Sequence, residues 1–270
     1  RPSFSVVIPT YNDDARLSLT LWGLTQQSFK DFEVIVVNDG GESSTRQLIE
    51  RYNDKLTIFY RYLYPKSSEY RPSQARNLGI DNARASRTLF IDCDTIPHRH
   101  LIAHHKKIVG SLEVSVGIRY RILEEDVIHL HNAYKTDTLT YDLIRGLKLR
   151  GDDRVIRKEY RDRFFALSAV SFDTRDYARK NIHASFGHSC NICYPTDALR
   201  KLSGFNTKYD NIWGGEDHDL AIRFFDFGGM MITLPSALVY HLNHEPRASI
   251  DSDILKEYLS QTRRKSKMET

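Results

Sequence analysis

Cysteine is nearly missing from this chain. Three thiols in 270 residues, Cys93, Cys190 and Cys193, cannot build a disulfide framework, and a reducing compartment is the simpler setting. Cys190 and Cys193 form a single Cys-x-x-Cys, which falls short of the four ligands of a structural zinc site. No apolar run approaches the roughly 20 residues of a membrane span. Charge of one sign is also scarce: 39 basic against 35 acidic residues leave a net +4. That balance suits an anionic small molecule or a membrane surface and does not call for nucleic acid. No glycine lies between Pro9 and Asp14. The turn after the first apolar run therefore lacks the Gly-rich phosphate cradle expected of a nucleotidyltransferase. Internal repeats and low-complexity segments are absent as well.

What is present is an ordinary globular composition, 40% hydrophobic and 27% charged, enough for one large domain or one and a half. The first half alternates strand and helix patterns. Strands are expected at Phe4–Ile8, Phe32–Val37, Leu56–Tyr62 and Thr88–Ile91. Helices are expected from Asp13 or Asp14 to about Ser28, from Ser43 to Tyr52, and from a Ser73 cap to Ala85. This succession predicts an α/β fold with a doubly wound, mostly parallel sheet and helices on both faces. Ligands of such sheets bind outside the carboxyl ends of the strands, where Thr10, Tyr11, Asp39 and Asp94 all fall. The second half is less regular: a helix from Leu101 to Val109, a strand at Val114–Tyr120, then a charged stretch with no nameable motif. Asp152-Asp153 in that stretch reads as a solvated loop.

The sharpest chemical signal is Phe90-Ile91-Asp92-Cys93-Asp94. Asp92 and Asp94 follow a buried strand, and in extended chain they point the same way. Two carboxylates on one side repel unless a cation sits with them, and a hard divalent ion that keeps open positions for phosphate answers that cost. Tyr11, after Pro9 and Thr10, can stack on a flat base. Asp39 can accept from a base N–H, with an ordinary turn Asp before Gly40 as the alternative. Arg71 and Arg76 face the same crevice, either toward a ligand or in structural ion pairs. Trp213 can stack on a sugar ring or fill a core. Gly214-Gly215 lets backbone approach a ligand closely, and Glu216-Asp217 opens a helix from about Asp219 to Phe227. A carboxylate there can take a proton from an attacking hydroxyl. A helix N-terminus lowers carboxylate pKa values, so these acids are expected to be ionised at neutral pH. His98, His100, His104 and His105 read as a solvated helix face.

Ser5-Val-Val-Ile-Pro-Thr-Tyr-Asn12, Val36-Val-Asn-Asp-Gly40, Ala75-Arg-Asn-Leu-Gly-Ile80 and Asp92-Cys-Asp94 occur in that order. They resemble the nucleotide-sugar half of family 2 glycosyltransferases with the GT-A fold. Trp213-Gly-Gly-Glu-Asp217 followed by Asp219-Leu220 resembles the acceptor-side motif of chondroitin-synthase-like and β-1,4-galactosyltransferase-like enzymes. The likeness covers about 1–120 and 185–245. It implies a metal-dependent, inverting transfer of a hexose or N-acetylhexosamine from a UDP-sugar to a hydroxyl of a saccharide-containing acceptor. A retaining enzyme of the same fold, or a silent sugar-nucleotide-binding module, is the alternative.

The resemblance also implies roles. Pro9, Thr10, Tyr11 and Asp39 line the uracil pocket, and Arg71 and Arg76 hold the nucleotide or diphosphate. Asp92, Cys93 and Asp94 form the Asp-x-Asp element, with Asp94 the direct metal ligand and Asp92 nearer the ribose or bound through water. His241 supplies the late metal ligand, with His244 as the alternative, and imidazole beside carboxylates favours Mn2+ over Mg2+. Asn191, Trp213 and Gly215 face the donor sugar. Asp217 is the base and Glu216 holds sugar hydroxyls. The expected layout is a nucleotide-sugar half over 1–120, an acceptor half over 121–250, and a helix or basic tail over 251–270. The chain starts at Arg1, which leaves room for its being one domain of a larger protein. The cluster Arg263-Arg264-Lys265-Ser266-Lys267 reads as a solvated helix end or a peripheral contact at the inner face of a membrane; the compartment expected is the cytoplasm.

Overall fold

The structure is a computed structural model that describes residues 1–66, 69–147, 150–151, 189–212, 214–244 and 260. Trp213, Asp152-Asp153 and the basic cluster at 263–267 lie outside the described residues. The chain runs β1 (Phe4–Thr10), α1 (Asp14–Thr25), β2 (Phe32–Asn38), α2 (Ser44–Glu50), β3 (Ile58–Tyr62), α3 (Pro72–Asn82), β4 (Arg87–Ile91) and β5 (Thr95–Pro97). It continues with α4 (Leu101–His105), β6 (Glu113–Ile122), α5 (Glu124–Lys135), α6 (Tyr141–Gly146) and β7 (Arg150–Gly151). Then come β8 (Asn191–Pro195), α7 (Thr196–Lys201), a 3-10 turn (Thr207–Tyr209), α8 (Glu216–Asp226) and β9 (Met230–Leu242).

One sheet orders these strands β3-β2-β1-β4-β8-β6-β9-β5, with β7 on β6. β1 pairs in parallel with β2 and β4, and β2 with β3. β8 then enters antiparallel to both β4 and β6, while β6 and β9 form a long parallel ladder. The expected α/β fold with a mostly parallel sheet is observed, and the antiparallel insertions fall in the half where no regular pattern is visible in sequence. Alternating residues of β1 serve opposite layers, as period-2 geometry requires. Val6 and Ile8 pack with Leu17, Leu21 and Leu24 of α1, whereas Val7 packs with Ala75 and Ile80 of α3 and Phe224 of α8. The near-continuous apolar strands are thus explained by cover on both faces.

Two helix starts position the site. Asp13 caps α1, its carboxylate accepting from the Arg16 backbone N–H. α3 is not capped by Ser73, as its sequence suggests. It starts after Arg71 with Pro72 at its first position, where a missing N–H costs nothing. The Ser73 N–H donates instead to Asp210 Oδ1 (2.8 Å), and Gln74 Nε2 donates to Asp210 Oδ2 (2.9 Å). Beside this borrowed cap, Tyr70 and Asn211 exchange bonds: Asn211 N–H donates to Tyr70 O (2.6 Å), and Tyr70 N–H donates to Asn211 Oδ1 (3.1 Å).

Gly79 lets α3 lie directly on β1, since a Cβ there would stand 2.3 Å from Val7 Cγ1. Gly79→Ala is therefore expected to cost about 1–3 kcal/mol of stability by overpacking, measured as a lower urea midpoint at unchanged m-value.

Candidate active site

β4 ends at Ile91, and Cys93-Asp94 form a turn before β5. Strand alternation stops there, so Asp92 and Asp94 do not act as a parallel pair. The Asp92 carboxylate accepts from Arg76 Nη2 at 3.1 Å. Asp94 turns the other way: His244 Nε2 lies 2.9 Å from its Oδ2, and His241 Nε2 lies 3.5 Å from its Oδ1. Asp94, His241 and His244 offer ligand atoms that all lie within 4.8 Å of one another. The sequence assigned Asp94, His241 and Asp92 to a metal; the geometry joins both histidines to Asp94 and gives Asp92 to Arg76. Burial lowers the His241 pKa against the pull of Asp94, which keeps its imidazole in the neutral form that metals bind. Two imidazoles and a carboxylate could together hold a divalent transition-metal ion.

These residues stand on the wall of a cavity of about 580 Å³ at the carboxyl ends of β1, β2 and β4. Pro9, Thr10, Tyr11, Asp39, Arg76, Asp92, Cys93, Asp94 and His241 line it. Thr10 Oγ1 is buried with no partner. Arg71 is on the far side of Asp39, clamping it: its backbone N–H donates to Oδ2 (3.0 Å) and its Nε to Oδ1 (2.8 Å). Burial raises the Asp39 pKa, and these Arg71 contacts oppose the rise. Tyr70 and Arg119 also line the cavity and were missed in the sequence. Burial pushes the Tyr70 hydroxyl pKa up, with Glu216, Asp92 and Asp94 adding to the rise and Arg76 opposing it. Arg119 comes from the irregular half, on β6, where no motif marks it.

Glu216 and Asp217 are the first residues of α8, which starts three residues before the expected Asp219. Gly214 and Gly215 both have left-handed backbones (φ 87° and 101°), which only glycine adopts without strain. Neither acid is on the cavity wall; Glu216 connects to it through Arg76, whose Nη1 donates to Glu216 Oε1 at 3.0 Å. Glu216 Oε2 is buried without a partner. The expectation that both acids are ionised by the helix N-terminus needs correction at Glu216. Complete burial, then the charge of Asp217, push its pKa up to about 7 against Arg76. Asp217 Oδ1 accepts from the His218 backbone N–H (2.9 Å) and lies 3.0 Å from His218 Nδ1.

Two further expectations change. Asn191 does not present its amide to a ligand: Nδ2 donates to Ile118 O (3.1 Å) and Ala237 O (2.9 Å), and Oδ1 faces His105 Nε2 (2.9 Å). His105 is not on a solvated face. It is 1% exposed, because α4 lies on the sheet and turns this ring inward. Cys190 and Cys193 are free and buried thiols whose pKa values burial pushes up to about 12.

Residues 5–202 match the profile of glycosyl transferase family 2, and residues 171–245 match that of the N-terminal domain of galactosyltransferase. Hyaluronan synthase of Pasteurella multocida is 27% identical over 270 residues, spanning 94% of this chain and 27% of that protein. Validoxylamine A glucosyltransferase of Streptomyces hygroscopicus subsp. limoneus is 29% identical over 233 residues, 84% of this chain and 49% of its own. The chain thus spans half or less of the length of these relatives. Among solved structures, Staphylococcus aureus TarS 1-349 in complex with UDP-GlcNAc superposes with a TM-score of 0.65 at 17% identity, over 96% of this chain and 66% of that one. The mannosyltransferase PcManGT of Pyrobaculum calidifontis, in complex with GDP-Man and Mn2+, gives 0.60 at 17% identity over 100% and 65%. The fold is thus the GT-A-like fold of those enzymes, the family 2 profile spans most of the sequence, and the chain belongs to glycosyl transferase family 2.

Proposed function

We propose that this glycosyltransferase takes its sugar, a hexose or N-acetylhexosamine, from a UDP-sugar and passes it with inversion to a hydroxyl of a saccharide-containing acceptor. The observation that carries this reading is the Arg76 guanidinium, which contacts Asp92 and Glu216 at once. It ties the acidic element after β4, which lines the cavity, to the one opening α8.

Tyr11 and Asp39, on the cavity wall, stack on and accept from the nucleobase, and Thr10 Oγ1 finds in the ligand the partner it lacks in the protein. A structural neighbour in complex with UDP-GlcNAc supports uracil as that base. Asp94, His241 and His244 would hold a Mn2+ ion, which would supply Lewis-acid neutralisation of the leaving diphosphate. Arg76 and Arg119 add positive charge to the same wall. The acceptor oxygen forms its bond to the anomeric carbon as the bond from that carbon to the phosphate oxygen breaks. The hydroxyl proton goes to Asp217, and UDP departs. Glu216 Oε2 accepts from a sugar hydroxyl. Among the described residues no helix is long and apolar enough to cross a membrane, and the reading keeps the enzyme in the cytoplasm, with any membrane contact peripheral.

Asp217→Asn is expected to lower kcat about 10²–10⁴-fold while leaving the KM for the donor within a few fold, read from UDP release. Removal of metal by chelator should abolish release from UDP-N-acetylhexosamines and UDP-hexoses, and Mn2+ should restore it. Asp94→Ala should resist that restoration; full turnover by Asp94→Ala would defeat the metal assignment. Product anomeric configuration opposite to the donor's tests inversion. The raised pKa of Glu216 sets a sign for stability. A carboxyl that keeps its proton more tightly when folded loses stability as pH rises from about 4.5, its ordinary value, to about 7. Glu216→Gln should flatten that portion of the pH–stability curve, measured as denaturation midpoints at pH 5 and pH 8.

A further inference from the structure

The buried set His105, Ser115 and Asn191 has no part in the mechanism above, yet every polar atom of the two larger side chains is engaged. Asn191 Nδ2 donates to Ile118 O and Ala237 O. Its Oδ1 can only accept, so His105 Nε2, 2.9 Å away, carries the ring proton. His105 Nδ1 is then the acceptor for the Ser115 hydroxyl, 2.8 Å away. Burial pushes the His105 pKa down to about 4, so the neutral ring persists.

The two carbonyls bound by Asn191 flank the one irregularity in the β6–β9 ladder. Gly117 pairs with Leu234 and Ile118 with Leu238, so one step along β6 answers four along β9. Pro235, Ser236 and Ala237 are the excess, and bulges free backbone groups that need partners elsewhere. Asn191 supplies them. Space for its amide exists because residue 117 is glycine: a Cβ there would stand 2.1 Å from Asn191 Nδ2 and 2.2 Å from Ala237 O. Beyond the bulge, Arg119 pairs with Val239 and Arg121 with His241. Arg119 and His241 are the residues of these strands that line the cavity. Their placement depends on where the ladder resumes.

We propose that His105 and Asn191 are positioning residues: the imidazole orients the amide, the amide fixes the bulge, and the bulge sets Arg119 and His241 in the cavity. The consequence for Mn2+ and diphosphate binding rests on the function proposed above; the clamp itself does not.

The test compares His105→Leu, Ser115→Ala and His105→Gln with the wild-type chain, each checked for folding by near-UV circular dichroism. Gln can donate through its amide nitrogen to Asn191 and accept from Ser115. Two readouts are taken: Mn2+ affinity in the presence of UDP, by electron paramagnetic resonance, and hydrogen exchange of the amides at 117–121 and 234–241. His105→Leu should weaken Mn2+ binding about 10-fold and speed exchange in both segments about 10-fold, with kcat at saturating Mn2+ and donor falling less than the affinity. His105→Gln should stay within about 3-fold of wild type in both readouts. If His105→Leu does not fold, Ser115→Ala should still speed exchange about 3-fold. A folded His105→Leu with wild-type exchange and wild-type Mn2+ affinity overturns the clamp, as does failure of His105→Gln to restore them. If wild type binds no Mn2+ with UDP yet exchange rises in His105→Leu, the metal reading fails and the clamp stands.

Discussion

The Arg76 guanidinium is the contact on which the site depends. It sits on α3, 4% exposed, between a carboxylate from the turn after β4 and another from the start of α8. A buried cation is tolerated only with partners close on both sides, and losing one partner of such a set typically costs about 3–5 kcal/mol. Its stacking over Phe205, 5.4 Å from the ring centroid, adds a further restraint. Glu216 and Asp92 stand 124 positions apart in sequence, and this one group fixes their separation. The charge that assembles the acids also tempers them: Glu216 keeps one oxygen bound and the other free for a ligand.

Topology explains why the crevice forms where it does. β1, β2 and β4 all run the same way, so the chain leaves all three on one edge of the sheet. β8 then reverses direction beside β4, and β6 and β9 continue the sheet. The carboxyl ends of β6 and β9 return to that edge, carrying Arg119 and His241. The cavity is thus floored by the parallel half and closed by the mixed half.

Much of the first half was legible from sequence because its signals are local. Apolar runs of the right length, the Asp13 cap and the turn at Asn38-Asp39-Gly40 each follow from nearby residues. In the acid pair, alternation ends with the strand at Ile91, so Asp92 meets Arg76 while Asp94 meets the two histidines. His244 was kept as the alternative to His241, since spacing alone could not show that both reach Asp94. The Ser73 cap, the free amide of Asn191 and the solvated His105 failed for a common reason. Each is decided by a partner more than 80 positions away or by a helix laid on the sheet. Glu216 shows the same limit in electrostatics, where the depth of burial outweighs the helix terminus that sequence reveals. Arg119 carried no signal, since an arginine at the end of a strand, with Arg121 two residues on, is commonplace.

The reciprocal bonds between Tyr70 and Asn211, reinforced by Asp210 on Ser73 and Gln74, join the turn that walls the cavity to the segment that precedes Gly214-Gly215 and the acids. Neither loop owns a hinge independent of the other. A substitution that moves either segment is therefore felt in the other: a reshaped 210–212 loop carries the 69–74 turn with it, and the change arrives at the cavity wall through Tyr70.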